Sequence, residues 1–377
     1  MTLPADFPAP PRYGGRSVAD VMTSAAAALG VPGTTNTLGL PKAQRYVVVL
    51  VDGLGAELLS ECSGHAPTLR RAQSLGVLDA AFPTTTSVSL SSLGTGLAPG
   101  QHGMLGYDVV DPHQDRVVNM LGQWSPRIEP ETWQPHRTVF NRSEDTVDTV
   151  TVSKPRFQNS ELTRASLRGG RFKGADGVFA RTAAVLDELR EGKRALVYFY
   201  WDELDKVGHA KGWRSETWLK ALEELDSAIK RLVQKLPPNT RVVLTADHGM
   251  VDVAAEHRFD ASAVPGLLDG VRHTAGEPRA VQLHAQPDTD PVHIAARWQE
   301  HYGDTVWAVT REDLTAGGYF GPDPDPVILE RAGHVWVLGR EPVAIYDVSR
   351  QGAKPLTMVG QHGSLTPAER LIPALLW

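Results

Sequence analysis

The stretch Tyr46-Val47-Val48-Val49-Leu50-Val51-Asp52-Gly53 decides the fold. Six apolar residues, four of them valine, run without polar alternation and stop at an acid. Such a run is typical of a parallel strand buried on both faces, because a strand with one wet face alternates. Two further stretches repeat the pattern. Ala195-Leu-Val-Tyr-Phe-Tyr-Trp201 ends in Asp202-Glu203-Leu204-Asp205, and Arg241-Val-Val-Leu-Thr-Ala246 ends in Asp247-His248-Gly249. Helical segments are expected at Ser17 to Leu29, Asp176 to Arg190 and Trp213 to Lys235, the first capped by Ser17 and ended by Gly30 and Pro32. Strands alternating with helices predict an α/β fold, a mostly parallel sheet sandwiched between helices.

Elsewhere the pattern is less regular. Residues 1–15 form a Pro-rich arm. Gly76 to Ala81 reads as a short strand, Phe82-Pro83-Thr84-Thr85-Thr86 as a turn, and Ser87 to Leu93 as a helix stopped by Gly94, Gly96 and Pro99. From Tyr107 to about Gly174 the periodicity dissolves among Asp-Pro, Ser-Pro, Glu-Pro and Gln-Pro pairs. Residues 110–174 are therefore expected to be an inserted cap of short strands and loops, outside the core. Residues 255–355 are expected to be a second insertion, with strands at Arg279 to His284, Thr305 to Val309 and His334 to Leu338 and a helix at Pro291 to Glu300. The core then comprises 1–109 and 175–377.

With 377 residues the chain can bury a sizeable core without disulfides or a structural metal. Its 41% hydrophobic and 22% charged residues exclude a disordered, collagen-like or coiled-coil protein. A net charge of −6 gives no basic excess of the kind nucleic-acid binders carry. The single cysteine, Cys62, cannot form an internal disulfide and reads as a small inert residue. The opening residues show no basic and apolar pattern, so no signal peptide is expected there. The longest apolar run, Ala195 to Trp201, is far short of the ~18 residues of a membrane span. A cytoplasmic protein without a membrane partner is expected.

The chemistry lies where the buried strands stop. In open α/β sheets, ligands bind outside the carboxyl ends of the strands, so Asp52, Asp205, Asp247 and His248 would converge there. Asp205 and His209 are four residues apart and share a face if helical. With His362 the set offers six carboxylate and imidazole ligands, too many for one tetrahedral ion and right for two. Carboxylate with imidazole favours zinc, with manganese or iron possible. Two such ions can clamp the attacking and leaving oxygens of an in-line displacement at phosphorus. Phe82-Pro-Thr-Thr-Thr-Ser87 supplies hydroxyls at a helix N-terminus, where free N–H groups and the dipole attract phosphate.

The ordered set Asp52-Gly, Phe82-Pro-Thr-x-Thr86 running to Thr95-Gly-Leu, Pro99-x-x-His102-Gly, Asp205-x-x-Gly-His209-x-x-Gly212, Asp247-His248-Gly-Met and His362-Gly resembles a known family. That family is the nucleotide pyrophosphatase/phosphodiesterase (type I phosphodiesterase) branch of the alkaline phosphatase superfamily. The resemblance spans about 45–377. It implies an alkaline-phosphatase-like catalytic core, two divalent ions, and a threonine nucleophile that forms a phospho-enzyme. Carried over by position, Thr86 matches the nucleophile. Asp205, His209 and His362 match one metal site, and Asp52, Asp247 and His248 match the other, which also holds the Thr86 oxygen. The implied activity is hydrolysis of phosphoric diester or pyrophosphate bonds in a small phosphorylated substrate.

Two departures stand out. Tyr107 occupies the place where the secreted phosphodiesterases carry an asparagine that holds a phosphate oxygen, and Ser87-Val88 replaces the family's Phe-Pro after the nucleophile. Tyr107 therefore motivates an alternative, a phosphomonoesterase or phosphonate hydrolase on the same core. A second alternative is an inactive metal- or phosphate-binding protein. A sulfatase is unsupported, because no Cys-x-Pro-x-Arg pattern exists. His273, in Val-Arg-His-Thr, is a candidate pocket residue. Asp202 and Glu203 are candidates for a supporting role, His102 for a structural hydrogen bond, and the basic stretch from Lys154 to Lys173 for a solvated loop or an anion attractor. Trp201, Trp213 and Trp218 read as core.

Overall fold

The computed structural model describes residues 3–191 and 194–377, so the first two residues of the Pro-rich arm lie outside the described residues. Seven strands form the central sheet. They are β1 (Arg45–Val51), β2 (Gln73–Asp79), β3 (Asp148–Ser153), β4 (Arg171–Gly174), β5 (Ala195–Trp201), β6 (Thr240–Ala246) and β7 (Leu371–Leu376). Their spatial order is β2-β7-β6-β1-β5-β3-β4. β1 pairs in parallel with both β5 and β6, and β5 with β3. β7 alone runs antiparallel to its neighbours. From Tyr46 to Val51 every β1 residue is fully buried, as its unbroken apolar run requires.

Helices Ala19–Ala28, Val178–Glu191 and Glu216–Gln234 fall where the hydrophobic periodicity puts them, within three residues at either end. The last is capped by Ser215, whose hydroxyl accepts the Trp218 N–H, and it buries Trp218, Leu222, Leu225, Ile229 and Leu232 along one stripe.

The expectation that residues 110–174 lie outside the core is corrected. Asp148–Ser153 is an inner strand of the central sheet, and Arg171–Gly174 closes its edge. Thr149 to Ser153 are all buried. The hydroxyls of Asp-Thr-Val-Thr-Val-Ser make this strand look half-wet in sequence, yet threonine suits a pleated surface as well as valine does. The rest of the stretch is short hairpins and helical turns.

The second irregular stretch builds a separate four-stranded antiparallel sheet. Its order is Val271–Glu277, Ala280–Ala285, Val335–Gly339, Val306–Thr310. Helix Pro291–Tyr302 covers one face, and Leu283, Ile294, Trp298, Val335 and Val337 form a second apolar cluster beneath it.

Candidate metal and phosphoryl-transfer site

Strand register places the site. Val51 of β1 pairs with Trp201 of β5 and with Ala246 of β6, so the next residues, Asp52, Asp202 and Asp247, stand in one row at the carboxyl edge of the sheet. Asp202 then opens helix Glu203–Lys211, whose first turn carries Asp205 and whose last carries His209. Thr86 begins helix Thr86–Thr95. His362 follows the two-residue strand Gly360–Gln361.

Two ligand groups result. The carboxylates of Asp52 and Asp247 and the imidazole of His248 lie within 4.8 Å of one another, as do Asp205, His248 and His362. His248 belongs to both. His209 joins through Asp205, with Nε2 3.3 Å from Oδ1. The imidazoles are pre-oriented by the main chain. Nδ1 of His209 lies 2.7 Å from the Gly360 carbonyl, that of His362 2.8 Å from the Thr84 carbonyl, and that of His248 2.9 Å from the Gly249 carbonyl. A proton on each Nδ1 leaves each Nε2 lone pair facing the acids, the arrangement that metal-ligating histidines use.

The carboxylates are held in the same manner. Oδ1 of Asp247 accepts the backbone N–H groups of Gly53 and His248 at 3.1 and 3.0 Å. Its Oδ2, and Oδ1 of Asp205, are buried without a hydrogen-bond partner. Burial pushes the Asp52 carboxyl well above its usual range, and the charges of Asp247 and Asp205 push it further. Burial holds His362 well below its usual value, reinforced by His248 and His209. Three crowded acids, two of them with an orphaned oxygen, face the Nε2 atoms of three imidazoles, a donor set that fits divalent cations of the zinc, manganese or iron type.

Thr86 stands at the junction. Its hydroxyl lies 3.2 Å from Nε2 of His248 and donates to Oδ1 of Asp52 at 3.4 Å. Its side chain lines a cavity of about 610 Å³ that also reaches Asp52, Asp205, His209 and His362. Tyr107 is on the wall of that cavity. His273 is not. Its Nε2 instead lies 2.8 Å from Oδ1 of Asp115. His102 is buried and bonds Ser92 and the Met104 N–H, away from the cavity.

Two functional neighbours escape a sequence reading. Tyr200 sits inside an apolar strand run, yet its hydroxyl donates to Oδ2 of Asp52. Glu277 ends a strand in the poorly patterned region, yet it lines the cavity and takes the Tyr107 N–H at 2.9 Å. Nothing local to either residue marks it.

A mostly parallel α/β sheet with clustered acids and histidines that could hold metal at its carboxyl edge defines a class, the alkaline-phosphatase-like fold. The family model for type I phosphodiesterase / nucleotide pyrophosphatase matches residues 46–365. The chain belongs to that family, a branch of the alkaline phosphatase superfamily.

Among curated relatives, ectonucleotide pyrophosphatase/phosphodiesterase family member 1 of Mus musculus is 24% identical over 254 residues, 63% of this chain and 28% of that protein. A venom phosphodiesterase of Crotalus durissus collilineatus is 24% identical over 225 residues, 56% of this chain and 26% of that protein. The matched segment thus spans about a quarter of the length of these relatives. Among solved structures, murine ectonucleotide pyrophosphatase/phosphodiesterase 5, an inactive threonine-to-alanine form in complex with AMP, superposes with a TM-score of 0.69 at 15% identity. The match covers 88% of this chain and 87% of that one. At that identity the likeness establishes the fold.

Proposed function

We propose that the chain is a two-metal hydrolase of phosphoric diester or pyrophosphate bonds, with Thr86 as the nucleophile. One observation carries this reading. The Thr86 hydroxyl lies within hydrogen-bond distance of Asp52 and of His248, the residue common to both ligand groups. Asp52, Asp247 and His248 would hold one cation, and Asp205, His209 and His362 the other. Bound there, the cations supply Lewis-acid charge for the phosphoryl oxygens and lower the pKa of a nearby hydroxyl.

The chain's own residues do the rest. Asp52 takes the hydrogen bond of the Thr86 hydroxyl and so aims its oxygen. Tyr200 fixes the opposite oxygen of Asp52. Thr86 attacks phosphorus in line, the ester or anhydride oxygen leaves, and water then cleaves the phosphothreonine. Opening a helix, Thr86 also places unpaired backbone N–H groups beside the phosphoryl group. The AMP held by the murine neighbour supports a small nucleotide-like substrate.

The test pairs elemental analysis with hydrolysis of p-nitrophenyl phosphate and bis(p-nitrophenyl) phosphate on one sample. About two metals per chain with diester turnover is expected. Two metals with monoester turnover alone would keep the site and move the substrate to the monoester class that Tyr107 favours. Absence of both metal and turnover would overturn the proposal.

A further inference from the structure

Among the described residues that line the cavity, Arg156 and Lys206 are the only arginine or lysine side chains. They stand on one wall because both bind Oδ2 of Asp202, Arg156 at 3.2 Å. Lys154 binds Oδ1 of the same carboxylate at 2.5 Å and reaches Glu203 at 2.8 Å. Arg181, fully buried, bonds both oxygens of Glu203 at 2.7 and 2.8 Å. Four cations therefore face two carboxylates, leaving two positive charges in excess.

Burial decides where that excess lies. The side chains of Lys154 and Arg181 are 18% and 0% exposed, whereas those of Arg156 and Lys206 are 58% and 47% exposed. The uncompensated charge faces the cavity.

The wall has a fixed relation to the reacting centre. Lys206 follows Asp205 directly on the same helix. The Arg156 guanidinium lies 4.7 Å from the Phe157 ring centroid, Phe157 meets Tyr200 edge-on at 5.8 Å, and Tyr200 bonds Asp52. Elsewhere the described lining carries no arginine or lysine, Glu277 is held uncharged by burial, and Asp108 is paired with Arg350 at 2.8 Å. The positive charge of the cavity is thus confined to the Asp202 wall.

We propose that Arg156 and Lys206 form a second anion subsite, so that the substrate carries a further negative group on one of its two arms. The inference rests on the phosphoryl-transfer reading of Thr86. Arg156 and Lys206 hold that arm, and no arginine or lysine elsewhere on the described lining would hold it in the reversed orientation. An entering anion also relieves the repulsion among the three cations around Asp202.

Two 4-nitrophenyl alkyl phosphate diesters of equal arm length test it, one ending in methyl and the other in sulfonate. Sulfonate keeps its charge at every working pH and is a poor metal ligand. The metal-loaded protein is expected to favour the sulfonate arm by about tenfold in kcat/KM, the scale of one hydrogen bond to a charged group. The preference falls towards one in Arg156→Gln, survives in Arg156→Lys, and shrinks as salt rises. A preference of one or less in the parent protein overturns the subsite, as does a preference unchanged in Arg156→Gln. Metal-loaded Thr86→Ala separates this from the underlying reading. Its Kd ratio for the two diesters reports the subsite without turnover, whereas failure of the parent to cleave either diester counts against the hydrolase alone.

Discussion

His248 and His362 lie face to face, ring centroids 3.6 Å apart and planes 15° from parallel. Over a hundred residues separate them, yet each ring is tethered through Nδ1 to a backbone carbonyl and turns Nε2 to the acids. Two neutral imidazoles stack at this distance, while two imidazolium ions would repel. Burial keeps His362 neutral far below its ordinary pKa. His362 is therefore equipped to act as a ligand at neutral pH, and its stacking on His248 brings the two ligand groups into contact.

Thr86→Ala removes a hydroxyl and one methyl group from a buried helix start. Turnover of a diester is expected to fall by at least about 10³-fold, because an activated nucleophile has no substitute in the cavity. Bound metal stays near the parent level, since the carboxylates and imidazoles are untouched. Elemental analysis beside steady-state kinetics checks both halves, and full activity would remove Thr86 from the mechanism.

Metal removal is expected to destabilise the fold. Asp52, Asp247 and Asp205 are crowded and largely buried, so without a cation their mutual repulsion acts on the native state alone. A cation at ~100 times its Kd stabilises by about 2.7 kcal/mol per site. Melting curves with a chelator and then with graded zinc or manganese should show Tm fall and recover. A Tm indifferent to chelation would argue against an occupied site.

Gly53→Ala is expected to disturb Asp205 without touching it chemically. Gly53 has φ +75°, and a methyl there would sit 3.1 Å from Asp205 Cα and 3.2 Å from its Cβ. The left-handed backbone costs an alanine about 1–2 kcal/mol. The helix carrying Asp205 and His209 must also give way. A lower Tm together with a weakened second metal is the expected outcome, read by thermal melts and by metal titration. An unaltered metal stoichiometry and affinity would show that the contact does not position Asp205.

Glu277→Gln bears on pH dependence. Burial raises the Glu277 carboxyl to about 8, so it is protonated in the native state across neutral pH. Unfolded, it ionises near its ordinary 4.5. The native state binds the extra proton, so the stabilisation is complete below about pH 4.5 and drains away as pH rises through about 8. Glutamine cannot ionise. Relative to the parent, Glu277→Gln should therefore gain stability at pH 9 and show little gain at pH 5, as urea midpoints at the two pH values would reveal. An equal difference at both would contradict the assignment.

Much of the site is legible along the chain because its signals are local. Runs such as Val47 to Val51 must be buried on both faces, and the acids that end them must leave the sheet at its carboxyl edge. The four-residue spacing of Asp205 and His209 survives as one turn of helix Glu203–Lys211. What failed was non-local. Asp148–Ser153 is an inner strand only because β5 and β4 lie on either side of it. The closing strand, Leu371–Leu376, runs antiparallel because it returns between β2 and β6, which no local pattern encodes.

The sequence by itself determined the class of fold, the carboxylates and histidines of the centre, and Thr86 beside them. Burial periodicity and ligand chemistry are properties of short segments. Tertiary structure alone decided that Tyr200 reaches Asp52, that His273 turns to Asp115, that Glu277 lines the cavity, and that Asp202 serves three cations while Asp205 faces the histidines. Apart from the i,i+4 pairs of the helix Glu203–Lys211, these depend on groups far apart in the chain meeting at one distance. A charged or hydroxyl side chain has no fixed role until its surroundings set its partner and its solvation.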